Sequence, residues 1–254
     1  MAAALKIDLN CDLGESFGRY SLGEDAEIMP LITSANIACG VHAGDPSVMA
    51  STVSLASQYG VKIGAHPGFP DLQGFGRRSM GLSPQEIGHF IHYQLGALEA
   101  FTRMAGRTIT HVKPHGALYN LAVDDLVIAK AIAEAVTAYD DKLILVGLAG
   151  SKLVQAGRTY GLFTAQEAFP DRSYLPEGCL MPRSQPGAVI TDPEAIAENA
   201  LRFVRDGIKV NGDELQINTL CLHGDHPGAV RNAQKVRRRL EDANVVICPL
   251  SQIL

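Results

Sequence analysis

Short apolar runs rich in β-branched residues recur along the chain at 6–11, 35–39, 61–65, 110–112, 143–147, 161–165 and 219–222. They read as buried strands. Segments with helical apolar spacing lie between several of them, at 46–58, 84–105, 124–139, 193–206 and 226–243. Strand and helix therefore alternate, which calls for an α/β fold with a parallel sheet covered by helices. Seven repeats with no break in composition suit one closed (β/α) barrel domain over residues 1–254 better than two domains. An open doubly wound sheet is the main competitor.

The helix boundaries are well marked. Ser83 before Pro84, with Glu86 three residues after the cap, makes a capped start, and Gly106 supplies the stop. Asp192 before Pro193 repeats the device. The stretch 166–188 holds four prolines and no period, so it reads as a long loop of the kind that forms lids or binding segments. Asn211-Gly212, between short alternating runs within 209–217, predicts a β-hairpin.

Composition narrows the class. With 46% hydrophobic and 19% charged residues over 254 positions, the chain has material for a sizeable core and too little charge for disorder. Lys plus Arg 22 against Asp plus Glu 27 leaves a net charge of −5, so no basic excess exists to neutralise a nucleic-acid backbone. Lys6 and Asp8 interrupt any signal-peptide core, and no run approaches the roughly 20 apolar residues of a membrane span. A cytoplasmic address with no membrane partner is expected. Five cysteines, at 11, 39, 179, 221 and 248, contain no C-x-x-C pair, which argues against a disulfide frame and against a thiolate zinc site.

The chemistry collects where the predicted strands end. Asn10, Asp12 and Glu15 follow the first strand, His42 and Asp45 the second, His66 and Asp71 the third. Lys113, His115, Tyr119 and Asn120 follow the fourth, and His223 and Asp225 the seventh. In a parallel barrel these turns converge on one rim, where such enzymes bind and react. A single polar residue there can be a mere helix cap, and Asp45 before Pro46 reads as one. Caps need no imidazole, so four histidines at strand ends point to a shared site. Of the others, His89 and His92 lie on a long amphipathic helix, His111 inside a strand, and His226 at a helix start.

Imidazoles beside carboxylates suit divalent-metal binding or general acid–base catalysis, and both readings stay open. Asp12, His42 and His66 are the candidate metal ligands, although no H-E-x-x-H helix is present. Lys113 is either a point charge for a phosphate or oxyanion, or half of a buried ion pair. Arg77 and Arg78 either grip a substrate carboxylate or belong to a surface loop. Phosphate-loop, dinucleotide and serine-elbow signatures are all missing. Cys39, near His42, reads as core packing rather than as a nucleophile.

Longer segments carry a resemblance. Asp8-Leu9-Asn10-Cys11-Asp12-Leu13-Gly14-Glu15, Asn36-Ile37-Ala38-Cys39-Gly40, His42-Ala43-Gly44-Asp45-Pro46, Gly64-Ala65-His66-Pro67-Gly68, Gly74-Phe75-Gly76-Arg77-Arg78 and Lys113-Pro114-His115-Gly116-Ala117-Leu118-Tyr119-Asn120 look like the hallmark segments of the LamB/YcsF family, the A subunits of 5-oxoprolinase. The similarity continues through Glu167, Asp171-Arg172 and His223-Gly224-Asp225, so it covers essentially the whole chain. It implies a seven-stranded (β/α) barrel of the glycoside hydrolase/deacetylase type. It also implies ATP-dependent opening of the small-molecule lactam 5-oxo-L-proline to L-glutamate, with ATP as co-substrate, Mg accompanying it, and subunits B and C as partners.

On that reading Asp12, His42, His66, Lys113, His115, His223 and Asp225 are the expected catalytic set. Asn10, Glu15, Arg77, Arg78, Tyr119, Asn120, Glu167, Asp171 and Arg172 are expected to bind substrate. Two other functions compete with it. A stand-alone metal-dependent hydrolase or deacetylase would carry stoichiometric metal and ignore ATP, and a non-catalytic scaffold protein would tolerate alanine at every rim position.

Overall fold

Alternation within the first strand sets the architecture. In β1 (Lys6–Leu13), Ile7, Leu9, Cys11 and Leu13 join the main hydrophobic cluster, whereas Asp8, Asn10 and Asp12 hydrogen-bond to side chains of other strands. A strand with one face against helices and the other against a polar lumen belongs to a closed sheet. The computed structural model describes residues 4–224 and 228–254. In it β1 is followed by β2 (Ser34–Ala38), β3 (Lys62–His66), β4 (Ile109–Val112), β5 (Ile144–Leu148) and β6 (Phe163–Ala168). The hairpin strands β7 (Ile208–Val210) and β8 (Asp213–Leu215) come next, then β9 (Thr219–Leu222) and β10 (Val246–Ile247).

The order β1-β2-β3-β4-β5-β6-β9, with β9 pairing back onto β1, closes a seven-stranded barrel in which every ladder is parallel. The seven strands are the seven predicted runs. β10 only extends the start of β1. The predicted hairpin turns through Asn211 and Gly212, with φ of 52° and 92°, as a two-residue loop with both φ positive requires.

The helices are α1 (Asp25–Ile28), α2 (Pro46–Tyr59), α3 (Pro84–Met104), α4 (Gly116–Asp124), α5 (Leu126–Tyr139), α6 (Lys152–Thr159), α7 (Pro193–Asp206) and α8 (Ala229–Asp242). Ser83 and Glu86 form the expected capping box, and Asp45 and Asp192 cap α2 and α7. α4 is a helix the periodicity does not reveal, because its first turn shares residues with the polar segment that begins at Lys113. Asp124 thus ends α4, and Asp125 caps α5. α6 has 8 residues, too few to show a period. His226 and the expected start of the last helix lie outside the described residues.

The stretch that reads as a loop from Gln166 begins instead as strand, since residues Gln166–Ala168 continue β6 beside Leu148 and Thr219. Polar Gln166 and Glu167 hide that continuation, yet Glu167 is fully buried in the lumen. The following irregular segment is held by isolated bridges between Arg172 and Val189 and between Tyr174 and Leu180. Among the described residues no helix is long and apolar enough to cross a membrane.

The lumen contains a buried acid with a measurable signature. Asp8 accepts hydrogen bonds from Thr33 Oγ1 (2.7 Å), Ser34 Oγ (2.6 Å) and Thr219 Oγ1 (2.6 Å). Burial outweighs these bonds and pushes its pKa from 3.8 up to about 6, with Glu167 adding to the rise. The folded state then holds the proton more tightly than the unfolded chain, so this group's contribution to stability falls as pH climbs from about 4 to about 6. The full penalty, present above that window, is about 3 kcal/mol. In a urea-unfolding series, Asp8→Asn minus parent should climb by about that amount between pH 4 and 7 and then level off. A difference that does not move with pH would show that Asp8 titrates as an unfolded-chain carboxyl.

Candidate active site

A cavity of about 430 Å³ opens where the barrel strands end. Asp12, His66 and Lys113 reach it from the ends of β1, β3 and β4, and His115, Tyr119 and Asn120 from the start of α4. Glu15 and Arg77 come from the turns after β1 and β3. Phe169, Arg172 and residues 179–183 close it from the irregular segment, and His223 follows β9. The expected convergence of separate strand ends on one mouth is therefore what the fold produces.

Lys113 sits at the centre. Its Nζ lies 2.9 Å from Asp12 Oδ1 and 2.9 Å from Glu167 Oε1, donates to Asn10 Oδ1 at 3.2 Å, and meets Cys221 Sγ at 3.2 Å. It is thus both the buried ion pair and the cavity-facing charge that the sequence left as alternatives. Glu167 also accepts from Asn10 Nδ2 (3.0 Å) and from the Tyr119 hydroxyl (2.7 Å). Asn36 Nδ2 donates to Asp12 Oδ1 at 2.8 Å, and His66 Nε2 stands 3.3 Å from Asp12 Oδ2.

Burial opposes the charge on Asp12, but His66 and Lys113 outweigh it and hold the carboxyl well below the usual range. Burial likewise opposes the Lys113 ammonium, and Asp12 foremost among its neighbours raises it well above its ordinary value. Each partner thus favours the charged form of the other. Burial and then Glu167 push the Tyr119 phenol up, so it remains a donor.

Beside this pair lies an imidazole cluster. His42 and His115 stack with ring centroids 3.7 Å apart and 5° between planes, and His66 meets both edge-on. His66 Nδ1 lies 2.7 Å from the Lys113 carbonyl, and His115 Nε2 lies 2.7 Å from the Phe75 carbonyl. A carbonyl only accepts, so each of these nitrogens carries the hydrogen. Glu15 Oε1 lies 3.4 Å from His115 Nδ1 and 3.5 Å from His42 Nε2. Burial, then the neighbouring imidazoles, depress His42 well below its ordinary value, and burial followed by His66 lowers His115 to about 3.

One donor atom from each of Glu15, His42, His66 and His115 lies within 4.8 Å of the others, making these four the candidate metal ligands. Asp12, also expected in that set, lies beside the cluster, with Oδ2 3.3 Å from His66 Nε2 and Oδ1 engaged by Lys113 and Asn36. Alternation along β1 aims Asp12 into the lumen, whereas the left-handed turn at Gly14 (φ 68°) carries Glu15 round to the imidazoles.

The remaining expected residues divide. His223 Nδ1 donates to Asp171 Oδ2 at 2.6 Å, and the Arg183 guanidinium donates to His223 Nε2 at 3.2 Å. Burial opposes the Asp171 charge, yet His223 overcomes it and lowers the carboxyl's pKa. Arg172 lines the cavity while donating to the Ala188 (3.2 Å) and Met181 (2.6 Å) carbonyls. Arg77 lines the cavity, whereas Arg78 pairs with Asp71 and lies outside the lining. Asn10, His42, Glu167 and Asp171 stand behind the lining residues. Asp225 falls outside the described residues.

Arg183 escapes sequence reasoning, its only signal being its place in the proline-rich segment. Asn36 had a legible signal, the alternation Ser34/Asn36 that matches Asp8/Asn10/Asp12 on the neighbouring strand. Cys39 is core, its Sγ donating to the Ile37 carbonyl.

Residues 7–254 match the LamB/YcsF family. The A subunit of the Pyrococcus furiosus 5-oxoprolinase is 53% identical over 254 residues, covering 98% of this chain and all of that one (100%). The crystal structure of a lactam utilization protein from Thermus thermophilus superposes with a TM-score of 0.89 at 50% identity, covering 96% of this chain and 99% of that chain. A variant of the peptidoglycan deacetylase PdaC from Bacillus subtilis shares the barrel alone, with a TM-score of 0.50 at 11% identity over 98% of this chain and 90% of that one.

Proposed function

The chain belongs to the LamB/YcsF family, and from that premise we propose that it is the A subunit of an ATP-dependent 5-oxoprolinase, opening 5-oxo-L-proline to L-glutamate with B and C subunits in the cytoplasm. The observation that carries this reading is the Asp12–Lys113 pair at a cavity that Arg77, Arg172 and Arg183 also line. An acid that carries a carboxylate and becomes phosphorylated needs a cationic enclosure, and an amide needs a charge near its oxygen.

The lactam amide is planar and resonance-stabilised, so unaided attack by water is slow. Transfer of the γ-phosphoryl group of ATP, brought in as its Mg complex, forms an O–P bond on the amide oxygen and releases ADP. Water then adds to the activated carbon while Asp12 takes its proton. Return of that proton to the ring nitrogen lets the C–N bond break, leaving γ-glutamyl phosphate, which a second water hydrolyses to glutamate and phosphate. Lys113 offsets charge on the substrate oxygen, and the arginines hold the carboxylate and phosphoryl oxygens. Arg172 replaces Arg78 as the leading carboxylate clamp, since Arg78 is committed to Asp71.

The test is reconstitution. Glutamate should form only with ATP, 5-oxoproline and all three subunits present, and Asp12→Asn should lower the rate about 10³-fold while the near-UV spectrum keeps its folded signature. Turnover by the isolated chain without ATP would replace this reading with a stand-alone metal-dependent hydrolase or deacetylase. The Glu15 and imidazole cluster is the observation that favours that second reading.

A further inference from the structure

We infer that Glu15, His42, His66 and His115 form a binding site for one divalent transition-metal ion, zinc first, in the wall of the cavity. The tautomers are the first argument. The Lys113 and Phe75 carbonyls fix the hydrogens on His66 Nδ1 and His115 Nε2. In the neutral rings this leaves His66 Nε2 and His115 Nδ1 as two bare lone pairs facing each other across 3.0 Å, with Asp12 Oδ2 a third acceptor 3.3 Å from His66 Nε2. Two acceptors at that distance repel unless a cation lies between them.

His42 supplies the second argument. It has no solvent exposure, and among the described residues neither of its ring nitrogens has a hydrogen-bond partner, Glu15 Oε1 standing 3.5 Å from Nε2. A buried imidazole whose nitrogens make no hydrogen bond is costly unless it serves a ligand.

Spacing is the third. Donors about 2.1 Å from a common tetrahedral ion stand about 3.4 Å apart. Three of the six separations are 3.0 Å for His66–His115, 3.4 Å for His115–Glu15 and 3.5 Å for His42–Glu15, and all six lie within 4.8 Å. Three imidazoles and a carboxylate suit zinc and its neighbours, and a ligating histidine that donates its other N–H to a carbonyl is the usual supporting arrangement.

The surrounding backbone is shaped to these rings. A Cβ at Gly68 would stand 2.7 Å from His42 Nδ1, and one at Gly76 would stand 2.8 Å from both the His115 ring and His42 Cβ. Phe75, at a left-handed φ of 55°, turns its carbonyl onto His115. This inference stands independently of the proposed reaction, since metal occupancy is read without turnover.

The experiment uses the full chain with any affinity tag removed, equilibrated with Zn²⁺, dialysed, and assayed by elemental analysis and thermal melting. About one equivalent of zinc and a lower Tm after chelation are expected. Loss of a supporting hydrogen bond alone costs 10–100-fold in metal affinity, so His42→Ala and Glu15→Gln should each weaken binding at least tenfold. His89→Ala, on the exposed face of α3, should bind as the parent does. Histidine ¹⁵N spectra provide a readout that survives if a variant misfolds, because zinc should shift His66 Nε2 and His115 Nδ1 in the parent protein. Folded parent protein that takes up under a tenth of an equivalent overturns the inference. So does a protonated His66 Nε2 that zinc leaves unchanged, or full stoichiometry in both variants. Lactam opening by metal-free protein would overturn only a role for the ion in that reaction.

Discussion

Replacing Lys113 by methionine is expected to lower ATP-dependent glutamate formation in the reconstituted enzyme about 10³-fold and to destabilise the fold by about 3–5 kcal/mol. The two losses have different origins. Methionine keeps the apolar stem but removes the charge that stands 2.9 Å from both Asp12 Oδ1 and Glu167 Oε1. Two carboxylates would then share one buried region without a cation, and Asn10 Oδ1 would lose a donor. Removing one partner of a buried ion pair leaves the other uncompensated, which is where the stability is lost. The catalytic loss follows from the missing charge beside the substrate oxygen.

A second variant separates the two effects. Lys113→Met combined with Glu167→Gln lowers the buried negative charge by one, so much of the stability should return while the activity stays lost. Urea unfolding and the glutamate assay on both variants make the comparison. Activity within about threefold of the parent in the stable double variant would remove Lys113 from the reaction.

Gly64→Ala is the second large expected effect, about 3 kcal/mol or more of destabilisation, and it acts through sterics. Gly64 pairs with Asn36 on one side and His111 on the other. The His111 ring crosses over Gly64, and its Nε2 donates to Asn36 Oδ1 at 2.9 Å. Asn36 in turn donates to Asn10 Oδ1 and Asp12 Oδ1, both at 2.8 Å. A methyl group at Gly64 would fall inside the His111 ring, which is buried and has nowhere to retreat.

The clash therefore propagates along the hydrogen bonds to Asp12, and the rate should fall along with stability. Combining Gly64→Ala with His111→Ala vacates the occupied space, so the pair should be less destabilising than the sum of the two single changes. Strict additivity in chemical denaturation would show that the two residues do not compete for that space.

The alternation of apolar runs and amphipathic segments specified the seven parallel strands, five of the helices and the convergence of strand ends, because periodicity and parallel connections leave few other ways to bury those faces. Even the polar lumen was written locally: Asp8, Asn10 and Asp12 recur every second residue, which puts them on one face of β1. Glu167 obeys the same rule on β6 but was obscured by the proline-rich residues that follow.

Tertiary structure decided what lies beyond the last residue of each strand. There the strand period ends and the direction of a side chain depends on loop dihedrals and on neighbours remote in the chain. That is why Glu15 reaches the stacked pair His42 and His115 while Asp12 meets only His66, why Asp71 takes Arg78 out of the cavity, and why Arg183 arrives at His223. The tautomers of His66 and His115 belong to the same class, since each is set by a backbone carbonyl that only folding brings within reach.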